Sequence, residues 1–258
     1  MKYEVSGTTM QTVAIDLAPG EKIYSQTSTM AWMSDNIQMD THTGGGLMSL
    51  IKRSFSGGSL FVTTFTAKQK DGNVAFASKF PGKIMPVTLK EGEALICRKE
   101  TFMCAEESVG LDIAWQKRLG AGFFAGEGFI LQRVTGPGTV WLDLAGEIVT
   151  KDLAAGERLL VHAGHIGVQN ASVTTDIQMI KGFSNFLFGG EGLFLATLTG
   201  PGRIWLQSMP IINLAEAIAR YLPGAKDNSS LQSVAGGGAV GGLMGLAGSL
   251  LGGSDNEQ

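Results

Sequence analysis

Three copies of one short pattern punctuate the chain: Leu17-Ala-Pro-Gly-Glu21, Leu89-Lys-Glu-Gly-Glu93 and Leu153-Ala-Ala-Gly-Glu157, at steps of 72 and 64 residues. Each opens a segment with the same plan. A glycine turn (Gly20, Gly92, Gly156) is followed by two apolar runs around a polar tip. An Asp at a constant offset (Asp40, Asp112, Asp176) comes next, then a Phe before a Gly-rich corner and a further pair of strand-like runs. A triplication constrains architecture more tightly than chemistry. Modules this small bury little surface alone, so three of them sharing one body is the expected solution for 258 residues. The 37 Gly against 7 Pro fit short strands joined by tight turns better than long helices.

The expected fold is all-β: three tandem β-sandwich modules over residues 1–88, 89–152 and 153–209, then a C-terminal helix at 210–223 and a low-complexity tail at 224–258. In the second module Ala94–Cys97 and Phe102–Ala105 read as facing strands, with Lys99-Glu100 at their tip. Gly126 and Gly128 form its corner. Thr135-Gly-Pro-Gly138, with Pro137 between glycines, reads as a hairpin turn leading to Trp141. The third module restates this with Gly190, Gly192, Pro201 and Trp205. The first module lacks the full corner and the Gly-Pro-Gly turn, so these motifs are expected to be structural. Pro210 opens the single helical pattern, in which Ile211, Leu214, Ala215, Ile218, Tyr221 and Leu222 form one apolar face.

Net charge is only −3 and the basic residues are scattered, which excludes a broad field for DNA and speaks against RNA. Two cysteines, Cys97 and Cys104, are too few for a secreted disulfide scaffold. They align with Ser25 and Val161 and with Trp32 and Val168, so packing as reduced thiols is expected. The N-terminus shows no signal-peptide pattern, and a cytoplasmic location is expected, peripheral to a membrane at most.

Four groups of residues invite a chemical reading. His162 and His165 flank Ala163-Gly164 and would face each other across a two-residue hairpin, as a metal pair or metal enzyme requires. The matching positions in the other modules are Gln26 with Thr29 and Arg98 with Thr101, which are not ligand pairs, so no metal or other cofactor is expected. The repeated Asp residues, at expected strand ends, and the corner residues Glu127 and Glu191 suit turn capping better than acid–base work. Trp141 and Trp205 could stack a ligand, but cross-strand packing between modules is preferred. In the tail, 20 uncharged residues from Val234 to Gly253 include nine Gly. Leu243, Leu246 and Leu250 there suit a flexible segment, self-association or membrane contact.

Taken in order, the Leu-x-x-Gly-Glu openings, the Phe-x-Gly-Glu-Gly corners, the Thr-Gly-Pro-Gly turns and the terminal helix resemble the altered-inheritance-of-mitochondria "24" family over roughly residues 3–222. That resemblance implies a fold similar to the tryptophan RNA-binding attenuation protein, with modules that associate into oligomers, a trimer being the first expectation. It supplies no catalytic residues. The resulting expectation is a non-enzymatic oligomeric scaffold, with membrane or protein contacts through the tail. The alternative, from fold analogy, is an RNA- or small-ligand-binding module.

Overall fold

The computed structural model describes residues 1–26, 29–42, 62–117, 129–180 and 193–211, together with 213, 214 and 218. Nineteen strands among them build four antiparallel sheets. The chain begins with β1 (Lys2–Ser6) and β2 (Thr12–Leu17), which pair with each other and deliver Leu17 to the first turn. The first module continues as β3 (Lys22–Gln26), β4 (Met30–Met33), β5 (Ile37–His42), β6 (Val62–Ala67) and β7 (Gly72–Ala77), and β8 (Gly82–Leu89) leads to the second turn. The second module is β9 (Ala94–Arg98), β10 (Phe102–Glu106), β11 (Gly110–Lys117), β12 (Phe129–Thr135) and β13 (Gly138–Ala145). From there β14 (Ile148–Leu153) leads to the third turn. The third module is β15 (Arg158–His162), β16 (Ile166–Asn170), β17 (Thr174–Ile180), β18 (Leu193–Thr199) and β19 (Gly202–Gln207).

The recurring turn has a complete physical account. Leu17, Leu89 and Leu153 are buried and anchor the turn to the core. The N–H of Glu21, Glu93 and Glu157 donates to the carbonyl three residues earlier, closing a four-residue turn. Its third residue is Gly20, Gly92 or Gly156, at φ of +85°, +79° and +78°, where a side chain would be strained. The Glu carboxylate then accepts from the N–H of Ala18, Lys90 or Ala154, 2.8 Å away in all three copies. Leu, Gly and Glu therefore recur as anchor, turn residue and amide cap.

The sheets are not the modules. In each module the strand after the turn joins the pair beyond the polar tip, giving β5-β6-β3, β11-β12-β9 and β17-β18-β15. The remaining strands form β4-β7-β2, β10-β13-β8 and β16-β19-β14. Two six-stranded sheets arise when β3 pairs β10 and when β9 pairs β16. The other two sheets are the unjoined halves, β1-β2-β7-β4 and β15-β18-β17. Each of the two seams thus joins a strand of one module to a strand of the next.

Three sequence expectations are corrected by this topology. The runs on either side of each polar tip, β9 with β10 and β15 with β16, are not partners. Short 3-10 turns at Lys99–Thr101 and Ala163–His165 carry the chain from one sheet to another. Nor does Thr135-Gly-Pro-Gly138 close a hairpin, since β12 and β13 lie in different sheets, and so do β18 and β19. The reason is visible in the hydrogen bonds. The Gly136 N–H donates to the Glu93 carbonyl and the Gly200 N–H to the Glu157 carbonyl, so each cis Gly-Pro corner stacks on the preceding Leu-x-x-Gly-Glu turn. Asp40, Asp112 and Asp176 also lie within β5, β11 and β17, the outermost strands of their sheets, and not at strand ends.

Among the described residues three apolar cores form, and each draws on adjacent modules. The first module's core around Val13, Ile15, Phe65 and Phe76 also takes Met103, Cys104 and Trp141 from the second. The second, around Leu89, Leu111 and Leu142, takes Tyr24 and Val62 from the first and Val168 and Trp205 from the third. The third, around Leu153, Ile177 and Leu198, takes Ile96, Phe129 and Leu131 from the second. Of the expected helix, the N–H groups of Asn213 and Leu214 donate to the Pro210 carbonyl and form its first turn, and Ile218 is exposed. The rest of that helix, the corner glycines Gly126, Gly128, Gly190 and Gly192, and tail residues Leu243, Leu246 and Leu250 lie outside the described residues.

Candidate functional site

The seams and the two unjoined half-sheets concentrate the features that bear on function. At the first seam Cys104 lies opposite Ser25, Ala105 opposite Tyr24 and Glu106 opposite Ile23. At the second, Val168 lies opposite Cys97, Gln169 opposite Ile96 and Asn170 opposite Leu95. The module steps of 72 and 64 residues carry one set onto the other residue for residue, so the register is the same. The Tyr24 hydroxyl donates to the Val109 carbonyl at 2.8 Å, and the Lys22 ammonium meets the Glu107 carboxylate at 3.0 Å. Cys97 and Cys104 are fully buried at these seams as free thiols. Burial pushes the Cys97 thiol up to about 12, with the Glu100 charge adding to it, and burial raises Cys104 as well. Both thiols are protonated packing groups at neutral pH, as their alignment suggested.

Trp141 and Trp205 belong to the same construction. Trp141 is fully buried opposite Cys104, with its indole edge-on to Tyr3 at 5.3 Å, and it packs in the first module's core. Trp205, opposite Val168, packs in the second module's core. Each indole is thus driven across a seam into the module before it. The matching residue in the first module is Ala75, and its partner across the β4–β7 pair is Trp32.

At β4 and β15 the pattern stops. These strands are the counterparts of the seam strands, but among the described residues each is paired on one side only. Trp32 is 53% exposed, whereas its counterparts Cys104 and Val168 are fully buried. Leu160 is 64% exposed, and its counterparts Tyr24 and Ile96 are each 6%. β4 reads Met-Ala-Trp-Met, without a charge or a proline. Its one irregularity, the register shift between Met30 and Trp32, recurs in β10 and β16, which are paired at the seams all the same. By contrast β5, β11 and β17 each carry an edge Asp. Sequence reasoning set Trp32 beside Cys104 and Val168 but missed that an indole in place of a thiol marks an uncovered surface.

Of the remaining candidates, Glu127 and Glu191 lie outside the described residues. Asp40 and Asp176 accept from the neighbouring Gln38 and Gln178 amides. Asp112 lies opposite Arg133; desolvation raises its carboxyl and the Arg133 charge opposes that rise. His162 and His165 do meet, with ring centroids 5.7 Å apart, across the 3-10 turn between two sheets and not across a hairpin. The His165 ring donates from Nδ1 to the Gln207 carbonyl at 2.8 Å. The Gln207 amide in turn donates to the Gly164 carbonyl, pinning the turn. Partial burial, then the neighbouring His165, then Arg98 hold His162 below its ordinary value, so it is neutral at neutral pH. Among the described residues no third His, Cys, Asp or Glu joins the pair as a metal-binding cluster. No helix among them is long and apolar enough to cross a membrane.

Comparison with known proteins agrees with this architecture. The chain is 29% identical over 219 residues to the uncharacterised protein M6_Spy0233 of Streptococcus pyogenes serotype M6, covering 82% of this chain and 86% of the relative. The crystal structure of protein SPYM3_0169 from Streptococcus pyogenes superposes with a TM-score of 0.69 at 26% identity, over 86% of this chain and 99% of that one. Residues 3–209 match the family described as mitochondrial biogenesis AIM24, a span that takes in all three modules with their turns, seams and half-sheets. The chain belongs to the mitochondrial biogenesis AIM24 family.

Proposed function

We propose that this protein is a non-enzymatic oligomeric scaffold of the cytoplasm that presents its repeated modules in several copies, with the Gly-rich tail as its contact to a membrane surface or protein partner. The observation that supports the reading is the exposure of large apolar side chains, Trp32 and Met33 on β4 and Leu160 on β15, at the two ends of a repeat whose equivalent residues are buried elsewhere. A monomer in water is expected to cover apolar side chains of this size, whereas a subunit keeps them for association.

Native mass spectrometry of the full chain at micromolar concentration tests the association. A discrete oligomer is expected, a trimer first, and a monomer throughout the range would refute the scaffold. Deleting residues 231–258 should leave that oligomer intact and abolish co-sedimentation with vesicles containing phosphatidylglycerol. Full-length protein that never sediments with them removes the membrane part of the reading.

A further inference from the structure

We propose that the open edge of β15 in one copy of this chain pairs antiparallel with the open edge of β4 in a second copy, placing Val161 opposite Trp32, Leu160 opposite Met33 and Leu159 opposite Ser34. The proposal rests on the oligomeric reading above and specifies its interface.

The register comes from the molecule itself. Cys104 with Ser25 at the first seam and Val168 with Cys97 at the second are the same pair one module apart. The next application of that rule needs the strand after the third turn, β15, and the strand after a first polar tip, β4. Both are present, and neither has a partner at that edge among the described residues. Joining them would turn the three-stranded half β17-β18-β15 and the half β4-β7-β2, with β1 beyond it, into a sheet built like the two six-stranded ones.

Three independent features agree with this occupant. The first is hydrophobic. Tyr24 and Ile96 cross their seams into the following module's core, and their counterpart Leu160 projects where no following module exists. Met33, its intended partner, is 36% exposed, whereas its counterparts Ala105 and Gln169 are at most 2% exposed.

The second is the indole. Each pair formed by a β4-type and a β7-type strand carries one Trp: Trp141 on β13, Trp205 on β19, and Trp32 on β4 opposite Ala75. The first two sit in the preceding module's core. Trp32 would sit in the third-module core of the neighbouring copy, beside Leu153, Val161 and Leu198.

The third is charge. Lys22 and Glu107 bridge the first seam at 3.0 Å. Their counterparts at the second seam are Ala94 and Ala171, which are silent. Their counterparts at the proposed contact are Arg158 and Asp35, of opposite sign, both exposed. In the single chain Asp35 meets only an exposed Lys70 at 3.5 Å among the described ion pairs.

The two surfaces differ, so the contact is head-to-tail. Such contacts close into a ring if the rotation between copies permits and extend into a filament if it does not. Backbone pairing supplies affinity, and the alternating side chains supply register.

The experiment uses two variants of the full chain, Met33→Cys and Leu160→Cys, mixed and treated with a short bismaleimide. The native thiols are fully buried and protected. Cross-linked dimers joining position 33 of one chain to position 160 of another are expected in the mixture, with neither variant linking to itself. Self-linking of either variant, or an oligomer by native mass spectrometry with no 33–160 link, overturns this interface while leaving the scaffold standing. A monomer at all concentrations overturns both.

A second arm uses Leu160→Lys, an exposed site where the fold is not at risk. It should lower association at least tenfold with an unchanged unfolding midpoint at concentrations where the chain is dissociated. Association weakened by Arg158→Asp should return on adding Asp35→Arg to the same chain, and no recovery counts against the register.

Discussion

The internal seams and the two outer edges are built from equivalent strands and differ in what lies beside them. At the seams, β3, β9, β10 and β16 bury most of their side chains, and even thiols and a phenol are sealed from water. At the ends, β15 and β4 present Leu160 and Trp32 to solvent in the same backbone arrangement. The turn, the tip and the strand pairing within each half are shared, so local structure is not what separates them. Burial in this repeat is a property of the junction between modules, and each module is incomplete until its neighbours arrive. Repeat proteins in general divide stability between intrinsic and interface terms in this way.

The largest expected difference between the two regions is carried by the indoles. Trp141→Ala removes a fully buried side chain from a seam core and should cost about 3–5 kcal/mol in chemical denaturation. Trp32→Ala, measured at concentrations where the chain is dissociated, should cost under about 1 kcal/mol because the indole is half in water. Equal losses in the two variants would mean that the open edge is already as well packed as a seam.

Backbone positions give the next contrast. A Cβ on Gly136 would collide with the Lys90 carbonyl oxygen and approach the Leu89 Cβ to 2.7 Å, because the Gly-Pro corner stacks directly on the second turn. Gly136→Ala should therefore cost about 3 kcal/mol, as severe core strain does. Gly92→Ala faces open space and costs only its positive φ, about 1–2 kcal/mol. If thermal denaturation ranks them the other way, the two corners are not stacked as described.

What could be read in the sequence, and what could not, divides along the same line. The Leu-x-x-Gly-Glu turns were legible because every interaction in them spans five residues. Gly92 and Glu93 carry their roles wherever the strands go. The all-β fold is legible from the same local signals. Strand partners did not, since alternation in Ala94–Cys97 shows which face is buried but not whose strand lies alongside. Two such runs around a polar tip have the pattern of a hairpin even where, as with β9 and β10, the chain passes between sheets. Trp32 was visible as an alignment mismatch with Cys104 and Val168, but only the missing neighbour explains it. The proximity of His162 and His165 comes from a 3-10 turn between sheets, which their spacing around Ala163-Gly164 does not distinguish from a hairpin.

That turn gives a pH-dependent test at the open end. His162 closes β15, while its counterpart Arg98 closes a seam strand with the Glu100 carboxylate 2.9 Å away and its guanidinium over Phe129. The folded protein holds His162 below the ordinary value of 6.5, so the unfolded chain takes up its proton first. Stability from this group is intact above pH 6.5 and declines as pH falls through 6.5 towards the lower folded value. Replacing His162 with Gln should flatten that acid-side decline in urea denaturation between pH 7 and 5. An unchanged slope would show that the imidazole is as free in the folded chain as in the unfolded one.

The smallest effect compares the two charge pairs. Lys22 and Glu107 are both partly exposed, and such pairs contribute under about 1 kcal/mol. A double-mutant cycle with Lys22→Ala and Glu107→Ala should give a coupling of that size, independent of protein concentration because both groups belong to one chain. The same cycle on Arg158 and Asp35 should give no coupling in the dissociated chain, where they belong to opposite ends of the repeat. It should acquire one of similar size only when association is measured instead of unfolding. Salt should weaken both couplings, since neither pair is shielded from ions. A concentration-independent coupling between Arg158 and Asp35 would place the two ends of one chain against each other, making the outer edges a third internal seam.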